Sequence, residues 1–401
     1  MTNKAPVTEA RSPRDPIAGY VHWVRNVAIP RWAVLGFDAD KGRFHERLDL
    51  NGRPVSVPHR AMVQARQIYV YADAARRGWY ADGAPLAERA MRHVLDEFAL
   101  RDGRITSVSF SLAEGSTAGS SVRDAYAHAF ILFALAALFR LDGNKAWLDE
   151  ADAVLRFIDS RLTDPVHGGL FDAVPSADGT KRQNPLMHLL ESCLFLHQAA
   201  SDRGYLARAD ALIDLFNTRL FDRRHDVLLE YFGEDWAPHQ DEAKRDAVEP
   251  GHHFEWVWLL AEYRRLGGMR SIAFAEPLYA VARAHGVLAG GVIVDELRGV
   301  DRSIAKSSHR IWPHTEAIKA AGVRYQAGDH EARGLADAAA GALLAHFLDK
   351  PFTGGWIDQL DSMLEPTVSH IPASSLYHLT LAATEADALF ANEPLATVAA
   401  E

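Results

Sequence analysis

The stretch Gly291-Val-Ile-Val-Asp295 decides how the rest of the chain is read. It is a short β-branched piece, too short for a helix, set between two segments with helical periodicity. Five comparable pieces punctuate the sequence: Gly42-Arg-Phe-His-Glu46, Arg104-Ile-Thr-Ser-Val-Ser-Phe110, Gly169-Leu-Phe-Asp172, Val227-Leu-Leu-Glu230 and Gly355-Trp-Ile-Asp358. With Phe44, Val108, Phe171, Leu229, Ile293 and Ile357 as centres, successive intervals are about 64, 63, 58, 64 and 64 residues. A regular period of this size marks a repeat architecture. Most intervals hold two segments with apolar residues at three- and four-residue spacing, the first starting at Ala61 and the last running from Ser374 to Phe390.

The repeating unit is therefore a helical hairpin plus a short strand or turn. Six units predict an all-α chain folded as an (α/α)6 barrel, a toroid whose inner helices line a central cleft. An open solenoid explains the period equally well. No terminal unit resembles a polar cap, which favours the closed ring. No Ser/Gly/Pro-rich linker divides the chain, so residues 13–401 are expected to form one domain, with residues 1–12 a disordered tail.

Composition sets outer limits. The chain has 401 residues, 48% hydrophobic and 24% charged, with ample apolar material for a core. A net charge of −10 gives no reason to expect nucleic acid as a partner. The longest apolar run, Ala129 to Phe139, is short for a membrane span, and the N-terminus lacks the apolar segment of a signal peptide. The one cysteine, Cys193, sits among Leu189, Leu190, Leu194 and Phe195 and reads as a buried thiol. A cytoplasmic protein, monomeric or homodimeric and without a membrane partner, is expected.

Titratable groups recur in the first turns of the apolar helices. Arg66 shares its helix face with Met62, Val63, Tyr69 and Val70, which argues for an inward guanidinium. Asn184 reads as an N-cap ahead of Pro185, with His188 one turn further on the same face. In Pro250-Gly-His-His-Phe-Glu-Trp-Val-Trp-Leu-Leu260, His252 and Glu255 stand three apart, a spacing suited to general acid/base work. His253 points elsewhere and reads as structural. Trp256 and Trp258 could stack on a sugar ring, although packing explains them as well. Ile311-Trp-Pro-His-Thr-Glu316 and Ser374-Ser-Leu-Tyr-His378 open two more helices in the same style. A metal would need further ligands at defined distances, so neither metal nor cofactor is expected.

At these residues the chain resembles the N-acylglucosamine 2-epimerase superfamily, which includes mannose isomerases, sulfoquinovose isomerase and cellobiose 2-epimerases. The likeness runs from about residue 15 to 390. It is carried by Gly251-His252-x-x-Glu255-Trp256, the Arg66 helix, Asp124-Ala-Tyr126-Ala-His-Ala-Phe130, Asn184-x-x-Met187-His188, Trp312-Pro-x-x-Glu316, Gly354-Gly-Trp356 and Tyr377-His378. The ending Ser-Ser-Leu-Tyr377-His378-Leu379 is most similar to the mannose isomerase branch. One departure is Ala127, where many relatives carry Asp.

The resemblance implies an (α/α)6 barrel and metal-free aldose chemistry on a small monosaccharide. Arg66, His188, His252, Glu255, Glu316 and His378 match active-site positions of the family. On this reading His378 takes the C2 proton, His252 oriented by Glu255 relays hydroxyl protons, and Arg66 steadies the enediolate. His188, Asn184, Glu316, Tyr126 and Trp312 bind the sugar. Two imidazoles in one pocket are expected to hold both pKa values low. D-mannose to D-fructose is the expected reaction, with 2-epimerisation the alternative. Two other readings stay open: a glycoside hydrolase using Glu255 and Glu316 as its carboxylate pair, and a non-catalytic protein of the same fold.

Overall fold

The structure, a computed structural model, describes residues 15–113 and 119–390. The tail expected over residues 1–12 lies outside the described residues. In chain order the helices are α1 Pro16–Trp23, α2 Ile29–Leu35, α3 Ala61–Arg76, α4 Gly83–His93, α5 Ala125–Asp142, α6 Lys145–Phe157 and α7 Gln183–Ala199. They continue as α8 Tyr205–Leu215, α9 Glu242–Arg245, α10 Pro250–Arg265, α11 Ala275–Val281, α12 Trp312–Gln326, α13 Ala332–Ala342 and α14 Ser375–Phe390.

Sequence separates two layers. In α3, 14 of 16 residues are buried, whereas α4 buries 4 of 11 on one stripe. A helix apolar all round belongs inside, and an amphipathic one outside. The inner helices pack in succession, α3 on α5, α5 on α7, α7 on α10, α10 on α12 and α12 on α14, and α14 packs back on α3. Each of α4, α6, α8, α11 and α13 lies against the inner helix before it, while α1 lies against α13 and α14. The last inner helix and the first outer helix thus come from opposite ends of the chain. Buried apolar side chains from Ile17 to Phe390 form one contiguous cluster. The sequence reading places no helix before Ala61, and here the structure departs from it. Gly19 and Pro30 interrupt the pattern, yet Pro30 sits in the first turn of α2, where its missing N–H costs nothing.

The repeat is visible at each outer helix end. Five-residue π-turns follow α1, α4, α6, α8, α11 and α13, at Val24–Ala28, Val94–Phe98, Ile158–Leu162, Phe216–Leu220, Ala282–Gly286 and Leu343–Phe347. After each turn the chain soon doubles back on itself. The returning pieces pair antiparallel as Phe37 with Phe44, Ala99 with Val108, Thr163 with Leu170, Phe221 with Leu228, Val287 with Ile293 and Leu348 with Trp356. These are the six strand-like pieces of the sequence, each within one residue of its expected centre.

Four of them are pegged by a polar side chain from an inner helix. The backbone N–H of Phe44 donates to Gln64 Oε1 at 2.8 Å. Those of Val108, Leu228 and Ile293 donate to Nε2 of His128, His253 and His314, each at 3.1 Å. A buried N–H without an acceptor is costly, so these histidines serve the fold. His253 is structural, as the sequence suggested.

Candidate active site

The first two turns of α3, α5, α7, α10, α12 and α14, with the segments that lead into them, line a cavity of about 250 Å³. Arg66, Tyr126, Asn184, His188, His252, Glu255, Trp312 and His378 all face it. Helix N-termini converging on one space favour negative charge there. Gly251 allows the close fit of α10 and α12, because a Cβ at that position would lie 2.5 Å from the Trp312 ring.

The two imidazoles flank Trp312, whose ring centroid lies 4.8 Å from that of His252 and 5.7 Å from that of His378. Their environments are opposite. Burial pushes His378 down to about 3, against the upward pull of Glu316, whose Oε1 lies 2.9 Å from its Nδ1. Burial also acts to lower His252, but the charges of Glu230 and Glu249 outweigh it and raise the ring to about 9. The Nδ1 of His252 is 2.9 Å from Glu230 Oε2 and 3.7 Å from Glu249 Oε2. Its Nε2 lies 3.3 Å from Asn184 Nδ2. At neutral pH the two rings that flank Trp312 are therefore one neutral imidazole, His378, and one imidazolium, His252.

Arg66 is held by rings rather than by acids. Its guanidinium lies 4.2 Å from the Phe130 centroid and 5.0 Å from that of Tyr377. It donates to Tyr126 Oη at 2.5 Å and to the Ser374 carbonyl at 3.3 Å. His188 bonds Glu191 through Nδ1 at 2.9 Å, and burial lowers it to about 4. Glu255 is wholly buried, and neither of its oxygens has a hydrogen-bond partner among the described residues. Burial and then Glu316 raise its pKa well above the ordinary value, which favours its neutral form.

Three expectations are corrected here. His252 is held by Glu230 and not by Glu255. Glu255 sits on the same helix but turns toward His188, with Oε1 3.9 Å from that ring's Nδ1. Glu316 does not line the cavity. It stands behind His378, wholly buried, and its Oε2 is 2.6 Å from Lys319 Nζ. Finally, the imidazoles do not share low pKa values, because the acids beside His252 are stronger neighbours than the other ring. Trp256 and Trp258 also lie off the cavity: Trp256 stacks on Phe216 and Trp258 on the Lys319 ammonium.

The structure adds Glu249, Arg310, Asp358, Ser374 and Ser375 to the wall. Arg310 is already bound to Glu249 at 2.7 Å and Asp295 at 3.0 Å. A signal for part of this set was present. Five of the six strand-like pieces end on an acid: Glu46, Asp172, Glu230, Asp295 and Asp358. Each reaches the head of an inner helix, pairing with Arg60, Arg182, His252, Arg310 and Ser375 respectively.

Among the described residues, three clusters gather imidazole and carboxylate atoms within 4.8 Å: His188 with Glu191 and Glu255, Glu230 with Glu249 and His252, and Glu255 with Glu316 and His378. By count each could receive an ion. In every one the Nδ1 already bonds a carboxylate, and beside the third the Lys319 ammonium supplies a cation. The proposed glycosidase pair fits poorly. Glu255 and Glu316 bring oxygens within 4.8 Å, below the roughly 5–9.5 Å at which two carboxyls flank a glycosidic bond.

The sequence profile of the N-acylglucosamine 2-epimerase (GlcNAc 2-epimerase) family matches residues 42–382. A mannose-6-phosphate isomerase of Rhizobium meliloti (strain 1021) is 33% identical over 382 residues, covering 90% of this chain and 94% of the relative. A D-mannose isomerase of Thermobifida fusca is 31% identical over 309 residues, 71% of this chain and 74% of the relative. A crystal structure of a D-mannose isomerase superposes with a TM-score of 0.81 at 18% identity, covering 95% of this chain and 99% of that one.

Proposed function

From the premise that the chain belongs to the N-acylglucosamine 2-epimerase family and is a sugar isomerase/epimerase, we propose that it interconverts D-mannose and D-fructose through an enediolate. The circuit of six inner helices inside six outer ones is read as an (α/α)6 barrel, formed by a single catalytic domain.

The observation that carries the proposal is the opposite setting of the two imidazoles: Glu230 and Glu249 both stand beside His252, whereas His378 meets Glu316, which is itself paired with Lys319. His378 is the carbon base. Its Nδ1–H points at Glu316, which leaves the Nε2 lone pair for the C2 proton. His252, an imidazolium, donates to the ring oxygen as the sugar opens and then relays protons between O1 and O2. Arg66 and the helix N-termini hold the enediolate charge. His378 returns its proton to C1 and is neutral again, so the enzyme ends each turnover as it began. Glu255, Asn184, His188, Tyr126 and Trp312 bind the sugar. Glu316 positions His378 rather than touching substrate. No metal takes part.

A 2-epimerase with two carbon bases would finish each forward turnover with His378 protonated and His252 neutral. With His378 near 3 and His252 near 9, that mirror state is strongly disfavoured. The one-base isomerase is free of this cost.

The cavity supports a single unmodified hexose. Its volume of about 250 Å³ lies below the roughly 300–1,000 Å³ of sites for drug-sized ligands, which suits one ring better than two. Arg310 is spent on Glu249 and Asp295, and Asp358 adds a further carboxyl to the wall. On this reading Arg66 and the His252 imidazolium serve the enediolate and the ring oxygen, which leaves Arg310, already paired, as the further cation of the wall. The test is kcat/KM measured side by side for mannose, mannose 6-phosphate and cellobiose. Mannose should lead by at least ~10-fold, a margin of about 1.4 kcal/mol. A lead for either of the others overturns the assignment.

A further inference from the structure

Lys319 lies one turn beyond Glu316 on α12 and has no exposed surface. Its Nζ is 2.6 Å from Glu316 Oε2 and 3.8 Å from the centroid of the Trp258 ring. A fully buried ammonium is costly unless paired, and apolar packing between helices has no need of one. It does not line the cavity, so it cannot touch a sugar.

We propose that Lys319 is a positioning residue for the carbon base: its charge keeps Glu316 a carboxylate, and that carboxylate fixes His378 with its proton on Nδ1 and its lone pair on Nε2. This rests on the reading of His378 given above.

The surroundings single out this pairing. The acids that face Lys319 are Glu316 on its own helix, Glu255 on α10 and Glu191 on α7. Glu255 has no hydrogen-bond partner among the described residues, and burial raises its pKa well above the ordinary value. Glu191 is already bound by His188 Nδ1 and Tyr377 Oη. On α14, Glu385 accepts from Trp258 Nε1, and Lys319 lies over the same ring. Tyr20 on α1 is within electrostatic reach of Glu316, but its hydroxyl is given to the Leu379 carbonyl. Of these acids among the described residues, Glu316 is the one in direct ion-pair contact with Lys319.

Removing the ammonium changes the chemistry by one proton. Glu316, left in an apolar interior, takes a proton from solvent and becomes a carboxylic acid. Its O–H then donates to His378 Nδ1. The neutral imidazole must move its own proton to Nε2. The nitrogen that faces the cavity becomes a donor, and the base is lost without any change in the groups that bind sugar.

The experiment is ¹⁵N–¹H correlation spectroscopy of the histidine side chains, with steady-state kinetics, on the wild-type protein and Lys319→Met. His378 should be the Nδ1–H tautomer in the wild type and the Nε2–H tautomer in the variant. The kcat should fall about 100-fold, the scale of a lost general base, with KM changed less than ~3-fold. If His378 keeps its proton on Nδ1 in Lys319→Met, the inference is wrong whatever the rate does. The tautomer is read without substrate, so it stands apart from whether mannose is the substrate. Should Lys319→Met not fold, the charge-free double variant Lys319→Met/Glu316→Gln is compared with Glu316→Gln alone. Equal kcat values support action through Glu316 only, and a further loss in the double variant contradicts it.

Discussion

The Nδ1 of His252 lies 2.9 Å from Oε2 of Glu230, and this pairing reverses what burial does to the imidazole. His253, the next residue on α10, is equally enclosed but faces a backbone N–H, and burial lowers it to about 4. His252, beside two acids, is raised to about 9.

Glu230→Gln should remove most of that lift. The His252 pKa then falls, and the alkaline limb of the kcat/KM profile, expected near 9 in the wild type, moves down by roughly one pH unit or more. The kcat at pH 8 should drop while KM holds. A profile unmoved by the substitution would show that His252 is not the acid.

Stability should be dome-shaped in pH. Burial holds His128, His188, His253 and His314 near 4 and His378 near 3, against an ordinary 6.5. Between those values and 6.5 the unfolded chain binds protons that the folded chain refuses, so stability is lost as pH falls below about 6.5. His252 works the other way: its contribution is complete below about 6.5 and is lost as pH rises through about 9. Scanning calorimetry at pH 5, 7 and 10 should give the highest Tm at pH 7. A Tm that rises from pH 7 to 5 would contradict this.

His253→Leu should cost stability and spare catalysis. The substitution strips the Leu228 N–H of its acceptor in a buried hairpin, a loss of about 1–3 kcal/mol. Urea unfolding should show it, with kcat/KM within ~3-fold of wild type. His252→Ala should do the reverse, losing turnover while the fold is kept.

Activity should survive exhaustive EDTA. In each of the three imidazole–carboxylate clusters among the described residues the Nδ1 is already engaged by a carboxylate, and Lys319 pairs with Glu316 behind His378. Loss of activity restored by a divalent ion would overturn the metal-free account.

Much of this was legible in the sequence. The 64-residue period located the six hairpin pieces, because short apolar runs, four of them opened by glycine, recur at that interval between helical segments. Eight of the nine candidate side chains line one cavity, because polar groups in the first turns of all-apolar helices face the only space those helices share. Pairings across the ring were not legible. Glu230 stands 22 residues before His252, and Glu191 lies 186 residues before Tyr377. Such partners are set by packing between helices, while spacing along one helix suggested Glu255. A place in the first helical turn and a family match do not fix which way a side chain points, so Glu316 was expected in the cavity rather than behind His378. Lys319 drew no notice because a lysine on a helix is usually solvated, and its burial follows from closure of the inner ring. The helices α1 and α2 escaped notice because Pro30 and Gly19 resemble loop punctuation.

The most direct test is proton NMR of mannose incubated with the protein in D2O. The account predicts that fructose appears first, with deuterium at C1 to the extent that the His378 proton exchanges with solvent. Glucose appearing first, with deuterium at C2 and no ketose, would contradict it and establish protonation from the far face by a second group.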